Sequence, residues 1–195
     1  FGEIPNKLLP FDYQAFAEFP GEIMASVTNI HTGRAEYFPV PRDSSSFDVI
    51  VASCSLPVLF QPVKLGKRYY LDGGIADSIP YKQAMKAGCV KNIVVLTRER
   101  NYVKKAEQAA KVSALLYKKY PKLVKALNDR PGKYNACMKE LLELEKEGKI
   151  FLIVPDDIHG VGRTETNPKL LEQLYEEGYL KAKEQMAALK NYQNS

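Results

Sequence analysis

Polar and apolar residues alternate through GEIMASVTN (21–29), with Ile23, Ala25 and Val27 against Glu22, Met24 and Ser26. Period two predicts a strand. A second strand, GRAEYFPV (33–40), follows across the turn NIHTG (29–33). Next comes DSSSFDVIVASCSLPVLFQPV (43–63), where capping residues precede a short apolar run. Pro57 disfavours helical geometry at Leu56, so the pattern predicts a short buried helix ending near there. VKLGKRYYL (63–71) predicts a hairpin around Gly66, and PYKQAMKAG (80–88) a short helix with Pro80 near its first turn and Gly88 at its end.

In KNIVVLTR (91–98) the alternation gives way to a continuous β-branched run. Such a run predicts a strand covered on both faces, as in a parallel sheet. KIFLIVP (149–155) reads as a second buried strand. Between them, about 103–147 is helical in composition, with Val112, Leu115, Leu116, Leu123, Val124 and Leu127 at helical spacing. NDRPGKYN (128–135) is expected to split that stretch into two helices. A last helix opens with Asn167 as N-cap and Pro168 in its first turn. Its expected buried stripe is Leu171, Leu174, Tyr175, Gly178, Ala182, Met186 and Leu189. Buried strands separated and closed by helices predict a layered α/β/α fold. No repeat, low-complexity tract or linker interrupts the 195 residues, and both halves are expected to share one sheet.

Composition narrows the function classes. A hydrophobic fraction of 45% suits a packed core. No stretch reaches the ~18 uncharged apolar residues of a membrane span. The net charge of +5 is mild and by itself no signal for nucleic acid, which is not expected as a partner. Lysines gather at VKKAEQAAK (103–111) and YKKYPKLVK (117–125), as solvated helix faces or as weak attraction to anionic lipid. Cys54, Cys89 and Cys137 form no C-x-x-C pair, which argues against a disulfide framework or a zinc site; reduced, partly buried thiols are expected. His31 and His159 are too few for an all-histidine metal site. The opening FGEIPNKLLPF holds no initiating Met, basic n-region or cleavage pattern and reads as interior sequence.

Asp72 is the residue with the most chemistry to explain. It ends an apolar run and is followed by Gly73 and Gly74. Functional groups of open α/β sheets collect at the C-terminal ends of strands, and glycines clear space around them. Asp-Gly is also an ordinary turn signal, so the residues alone leave both readings open. Other polar residues read more plainly. His159, Asp156 and Asp157 fit a solvated loop, and Glu140, Glu143, Glu145 and Glu147 a solvated helix face. GVGR (160–163) lacks the spacing of a phosphate loop. Tyr69 and Tyr70 fit strand packing or the lining of an acyl pocket.

The stretch ASCSLPVLFQPVKLGKRYYLDGGIADSIP (52–80) resembles the region around the catalytic aspartate of bacterial patatin-like phospholipases. It has the small-residue run Ala52 to Pro57, the segment Phe60 to Pro62, a hairpin, and Asp72-Gly73-Gly74 leading to Pro80. FDYQAFAEFPGEIMASVTNIHTGRAEYF (11–38) resembles the family sequence before that block. EKEGKIFLIVPDD (145–157) and VGRTETNPKLLEQLYEEGY (161–179) resemble the C-terminal part of one bacterial subgroup. The resemblance implies a lipid acyl hydrolase with a Ser-Asp dyad, Asp72 as general base and a nucleophilic serine in G-x-S-x-G. It implies a lipid or ester substrate, transient contact with membrane surfaces, a bacterial cytoplasmic setting, and no metal or organic cofactor.

Ser26, Ser53, Ser55, Ser78 and Ser113 all lack glycines at both flanking positions, and no glycine-rich oxyanion loop occurs. In the family both elements precede the aspartate. Residues 1–195 are therefore expected to be the C-terminal portion of a patatin-like domain, inactive alone and prone to associate through exposed edges and apolar surface. Ser53 and Ser55 read as small packing residues near the site. A non-catalytic lipid- or partner-binding scaffold and an acyltransferase of the same fold stand as alternatives.

Overall fold

The structure is a computed structural model and describes residues 7–8, 10–42, 47–106, 110–162 and 165–195. It divides into two compact units: Phe1–Ile79 with Lys105–Tyr134, and Pro80–Lys104 with Asn135–Ser195.

The first unit is built on a four-stranded antiparallel sheet in the order β2-β1-β4-β3. Strands β1 (Met24–Asn29) and β2 (Ala35–Pro39) form the expected hairpin, with Ser26 opposite Tyr37. Strands β3 (Val63–Leu65) and β4 (Arg68–Asp72) form the second, turning at Gly66 with φ +60°. Strand β1 also pairs with β4, setting Val27 opposite Asp72. Helix α1 (Tyr13–Glu18) precedes the sheet, capped by the Asp12 side chain.

Adjacent residues of a strand point to opposite faces, and here both faces are covered. On one, Val27 and Tyr70 pack with Ala52 of helix α2 (Asp48–Ser53). On the other, Ile30, Leu71 and Ile75 pack with Tyr117, Leu123 and Ala126 from the helical region. Asn29 is buried and polar, but its side chain donates to Glu36 and accepts from the amides of His31 and Thr32, closing the β1–β2 turn. Helix α2 ends where Pro57 predicts. Its N-cap is Phe47, with no side-chain cap bond, and the expected capping residues 43–46 lie outside the described residues.

Several expectations need correction. The two halves do not share a sheet: β5 (Asn92–Val95) and β6 (Ile150–Ile153) form a separate parallel pair in the second unit. Nor is β5 buried on both faces. Asn92 and Val94 are buried while Ile93 and Val95 are exposed, so a continuous apolar run packs with period two. Tyr192, near the C-terminus, secures the pair, its hydroxyl accepting from Asn92 N at 2.9 Å and donating to Lys149 O at 2.9 Å.

Helix α3 (Tyr81–Lys86) forms where PYKQAMKAG predicts, with Pro80 as its N-cap and Gly88 at φ +93° beyond its end. The helical region, by contrast, divides elsewhere than predicted. Helix α4 (Ala110–Leu116) is followed after four residues by α5 (Pro121–Lys146), which runs straight through Asp129-Arg130-Pro131-Gly132. Proline removes one helical donor, yet its φ is helical. Buried Leu123 and Ala126 before it and Met138 and Leu141 after it continue one apolar stripe, which outweighs the breakers. Pro121 begins the helix instead, at a position where a missing N–H costs nothing. Val112, Leu115 and Leu116 are exposed rather than core, and the buried residues of that stretch are Ser113 and Tyr117. Residues 103–106 of VKKAEQAAK are not helical, and 107–109 lie outside the described residues.

The last helix starts as predicted, with Asn167 accepting from Lys169 N and Pro168 in the first turn, but breaks at Gln185 into α6 (Pro168–Glu184) and α7 (Met186–Asn194). None of its expected stripe is fully buried, and Leu171, Tyr175 and Met186 are exposed. Among the described residues no helix is long and apolar enough to cross a membrane.

Candidate active site

Asp72 is the last residue of β4 and caps the 3-10 turn Gly73–Ile75. Its peptide is held from both sides. Its N–H donates to Ser55 O at 2.9 Å, and its carbonyl accepts from Thr28 Oγ1 at 2.8 Å. Thr28 Oγ1 also receives the Ala76 N–H at 3.2 Å, so one buried hydroxyl ties β1 to both ends of the turn. The half-buried Asp72 side chain accepts the Gly74 N–H on Oδ1 at 2.6 Å. An ionised carboxylate has about four lone-pair sites, so that bond leaves capacity for a further proton donor.

The two glycines do different things. A Cβ on Gly73 would stand 2.2 Å from the Ser26 carbonyl oxygen and 2.6 Å from Ser26 Oγ. Here the missing side chain lets the turn lie directly against β1. A Cβ on Gly74 would meet Asp72 Oδ1 at 2.9 Å and Arg130 Nη2 at 3.3 Å. Gly74 thus leaves open the space in which the carboxylate and the guanidinium face each other. Ser78 Oγ donates to Gly74 O at 2.8 Å and closes the turn from its far side.

Cys54, at the end of α2, is exposed, and its thiol pKa is raised by partial burial and then by the charge of Asp72. Cys89 is also exposed and Cys137 half-buried, so only one of the three thiols fits the partly buried expectation. Tyr37 donates to Asp77; its hydroxyl is pushed well above the usual phenol range by burial, then by that bond and the carboxylate charge.

Ser55 is buried, its Oγ donating to Val51 O at 2.7 Å, in keeping with a packing residue beside the site. Ser53 lies at the end of α2. Ser26 Oγ is buried without a hydrogen-bond partner among the described residues. Tyr70 is buried with its hydroxyl on Glu36, whereas Tyr69 is exposed.

His159, Asp156 and Asp157 lie in the second unit and have structural partners. His159 contacts Glu177 at 2.8 Å, and Lys181 pairs with Asp156 at 2.7 Å. Glu140 and Glu145 pair with Lys82 and Arg100. Among the described residues no three His, Cys, Asp or Glu side chains are grouped to hold a metal.

The sequence reading missed Thr28 and Arg130. The threonine stands 44 residues from the aspartate whose carbonyl it holds, and Arg130 sits among residues read as a helix break. Nothing local to either one announces its part in the turn.

Residues 13–85 match the family model Patatin-like phospholipase, and residues 120–194 match Domain of unknown function (DUF6363). No curated protein matches the chain. The mixed α/β architecture agrees with a patatin-like fold, and Asp72, Thr28, Ser55 and both glycines lie inside the first matched stretch. Over residues 13–85 the chain is thus similar to the patatin-like phospholipases.

Proposed function

We propose that the protein to which this sequence belongs is a lipid acyl hydrolase with Asp72 as its general base. The nucleophile is a serine of a G-x-S-x-G motif that precedes residue 1, and residues 1–195 are the C-terminal portion of the patatin-like domain. The observation that carries this reading is a carboxylate at a strand end, in the family-matched stretch, with its peptide anchored to Ser55 and Thr28 and its Oδ1 to Gly74.

The chemistry follows from the groups. Asp72 accepts the serine proton as Oγ attacks the ester carbonyl, and the proton passes to the departing alcohol. Asp72 then takes a proton from water, the hydroxide attacks the acyl carbon, and the serine leaves reprotonated with release of the fatty acid. A carboxylate is a weak base near its ordinary pKa of about 3.9, so the step depends on close contact and fixed geometry. The substrate is a phospholipid, lysophospholipid or simpler carboxylic ester, met at a membrane surface from the bacterial cytoplasm.

The test is fluorophosphonate labelling and ester hydrolysis by the intact protein and by Asp72→Asn. Asparagine keeps an oxygen to accept from Gly74 N, so the turn survives while the base is lost. Loss of turnover by about 10²–10⁴-fold with the fold retained supports the reading. Full activity of Asp72→Asn refutes it. An intact protein that neither labels nor hydrolyses leaves the non-catalytic scaffold. Acyl transfer to an added alcohol in preference to water identifies the acyltransferase.

A further inference from the structure

Arg130 comes from helix α5, inside the stretch that matches the domain of unknown function rather than the patatin-like one. Yet its guanidinium reaches the Asp-Gly-Gly turn. Nη2 and Asp72 Oδ1 lie 3.3 Å and 2.9 Å from a single point, the position a Cβ would occupy on Gly74. The side chain is half-buried and its Nε is shielded from solvent, which weakens dielectric screening between the two charges. The anchoring is firm on the helix side as well. Leu123 and Ala126, two turns and one turn before Arg130, are buried against Leu71 and Ile75, which flank the turn. Chain Gly33 presses on the same helix, where its Cβ position is 2.3 Å from Lys122 O.

We propose that Arg130 is a positioning residue for Asp72, holding the carboxylate in its orientation and in its ionised form, so that the C-terminal helical region completes the patatin-like site. This rests on Asp72 being the general base. The surroundings make Arg130 the group that matters. Strand β1 presents Ser26, Val27 and Thr28, none of which titrates in the relevant range. Helix α2 is followed by its C-cap Cys54, whose neutral thiol carries no compensating charge. The next acid along the chain, Asp77, is engaged by Tyr37. A cation beside a carboxylate within ~4–6 Å lowers its proton affinity by about 1–3 pH units. Orientation and charge pull against each other: the guanidinium makes Asp72 a weaker base but keeps it ready to accept at lower pH.

The experiment is the pH profile of kcat/KM for the intact protein with p-nitrophenyl butyrate, a soluble ester, for Asp72→Asn, Arg130→Ala and Arg130→Lys. Arg130→Ala is expected to move the acid limb upward by about one pH unit or more. Arg130→Lys, which keeps the charge without the planar fork, is expected to restore most of that shift but not all of the rate. A purely structural arginine would lower rate or stability and leave the limb in place. An unmoved limb in Arg130→Ala overturns the proposal. If that variant does not fold, Arg130→Lys decides: an unmoved limb overturns the proposal whatever the rate, and a small upward displacement of the limb with a lowered rate supports it. An active Asp72→Asn defeats the general-base assignment itself and Arg130's role with it; an inactive one with an unmoved Arg130→Ala limb defeats Arg130 alone.

Discussion

Gly73→Ala isolates how closely the turn must lie against β1. The new methyl would sit 2.2 Å from the Ser26 carbonyl oxygen and 2.5 Å from its carbon, where ordinary contact begins at 3.4 Å. These are backbone atoms of a strand paired on both sides, so no side chain can rotate away. The turn or β1 must give by about 1 Å, in an interior packed too densely to absorb it. Overpacking of this kind costs about 1–3 kcal/mol. The same shift loosens Thr28 Oγ1 from the Asp72 carbonyl and the Ala76 amide, placing the expected loss near the upper end, about 3 kcal/mol. Gly73 has no positive φ, so the cost is contact and not backbone preference. Urea unfolding of the intact protein measures it, with Gly132→Ala as the control. Gly132 lies within α5 with nothing within 4 Å of its Cβ position, and alanine there should stabilise by about 0.5–1 kcal/mol. Ester turnover should fall about 10²-fold in Gly73→Ala, because a 1 Å displacement of a catalytic group has that order of effect. A Gly73→Ala protein as stable and as active as the parent would refute both the close approach and the site built on it.

Thr28→Val keeps the shape but removes the hydroxyl that donates to the Asp72 carbonyl and leaves the Ala76 amide only its bond to Gly73 O, so it should cost about 1–3 kcal/mol in urea unfolding; an unchanged midpoint would show the hydroxyl idle. Cys54 feels the Asp72 charge, so Asp72→Asn should lower its thiol pKa and bring the onset of iodoacetamide labelling, read by mass spectrometry, to lower pH; an unmoved onset would separate the two groups. His159 has its pKa raised chiefly by its bond to Glu177. A raised folded-state value means the contact favours folding fully below the unfolded value near 6.5 and fades as pH rises through the higher folded value. NMR titration of the ring should therefore show an elevated midpoint that drops in Glu177→Gln.

How much of this was legible in the residues depends on the range of the interaction. Both hairpins, the end of α2 before Pro57 and the Asn167 cap follow from turn chemistry and periodicity acting over a few residues. So does the place of Asp72 at a strand end before two glycines. What tertiary structure alone decided was set by packing between distant segments. The β-branched run at Asn92–Val95 is compatible with one covered face or two, and the neighbours chose one. Pro131 and Gly132 are poor helix formers, but the stripe from Leu123 to Leu141 is buried along its length, and that burial exceeds their local cost. Thr28, Ser55 and Arg130 reach Asp72 from β1, the end of α2 and α5. Their side chains carry no local mark of that task, because a hydroxyl, a carbonyl or a guanidinium acquires its partner only when the chain brings the two together.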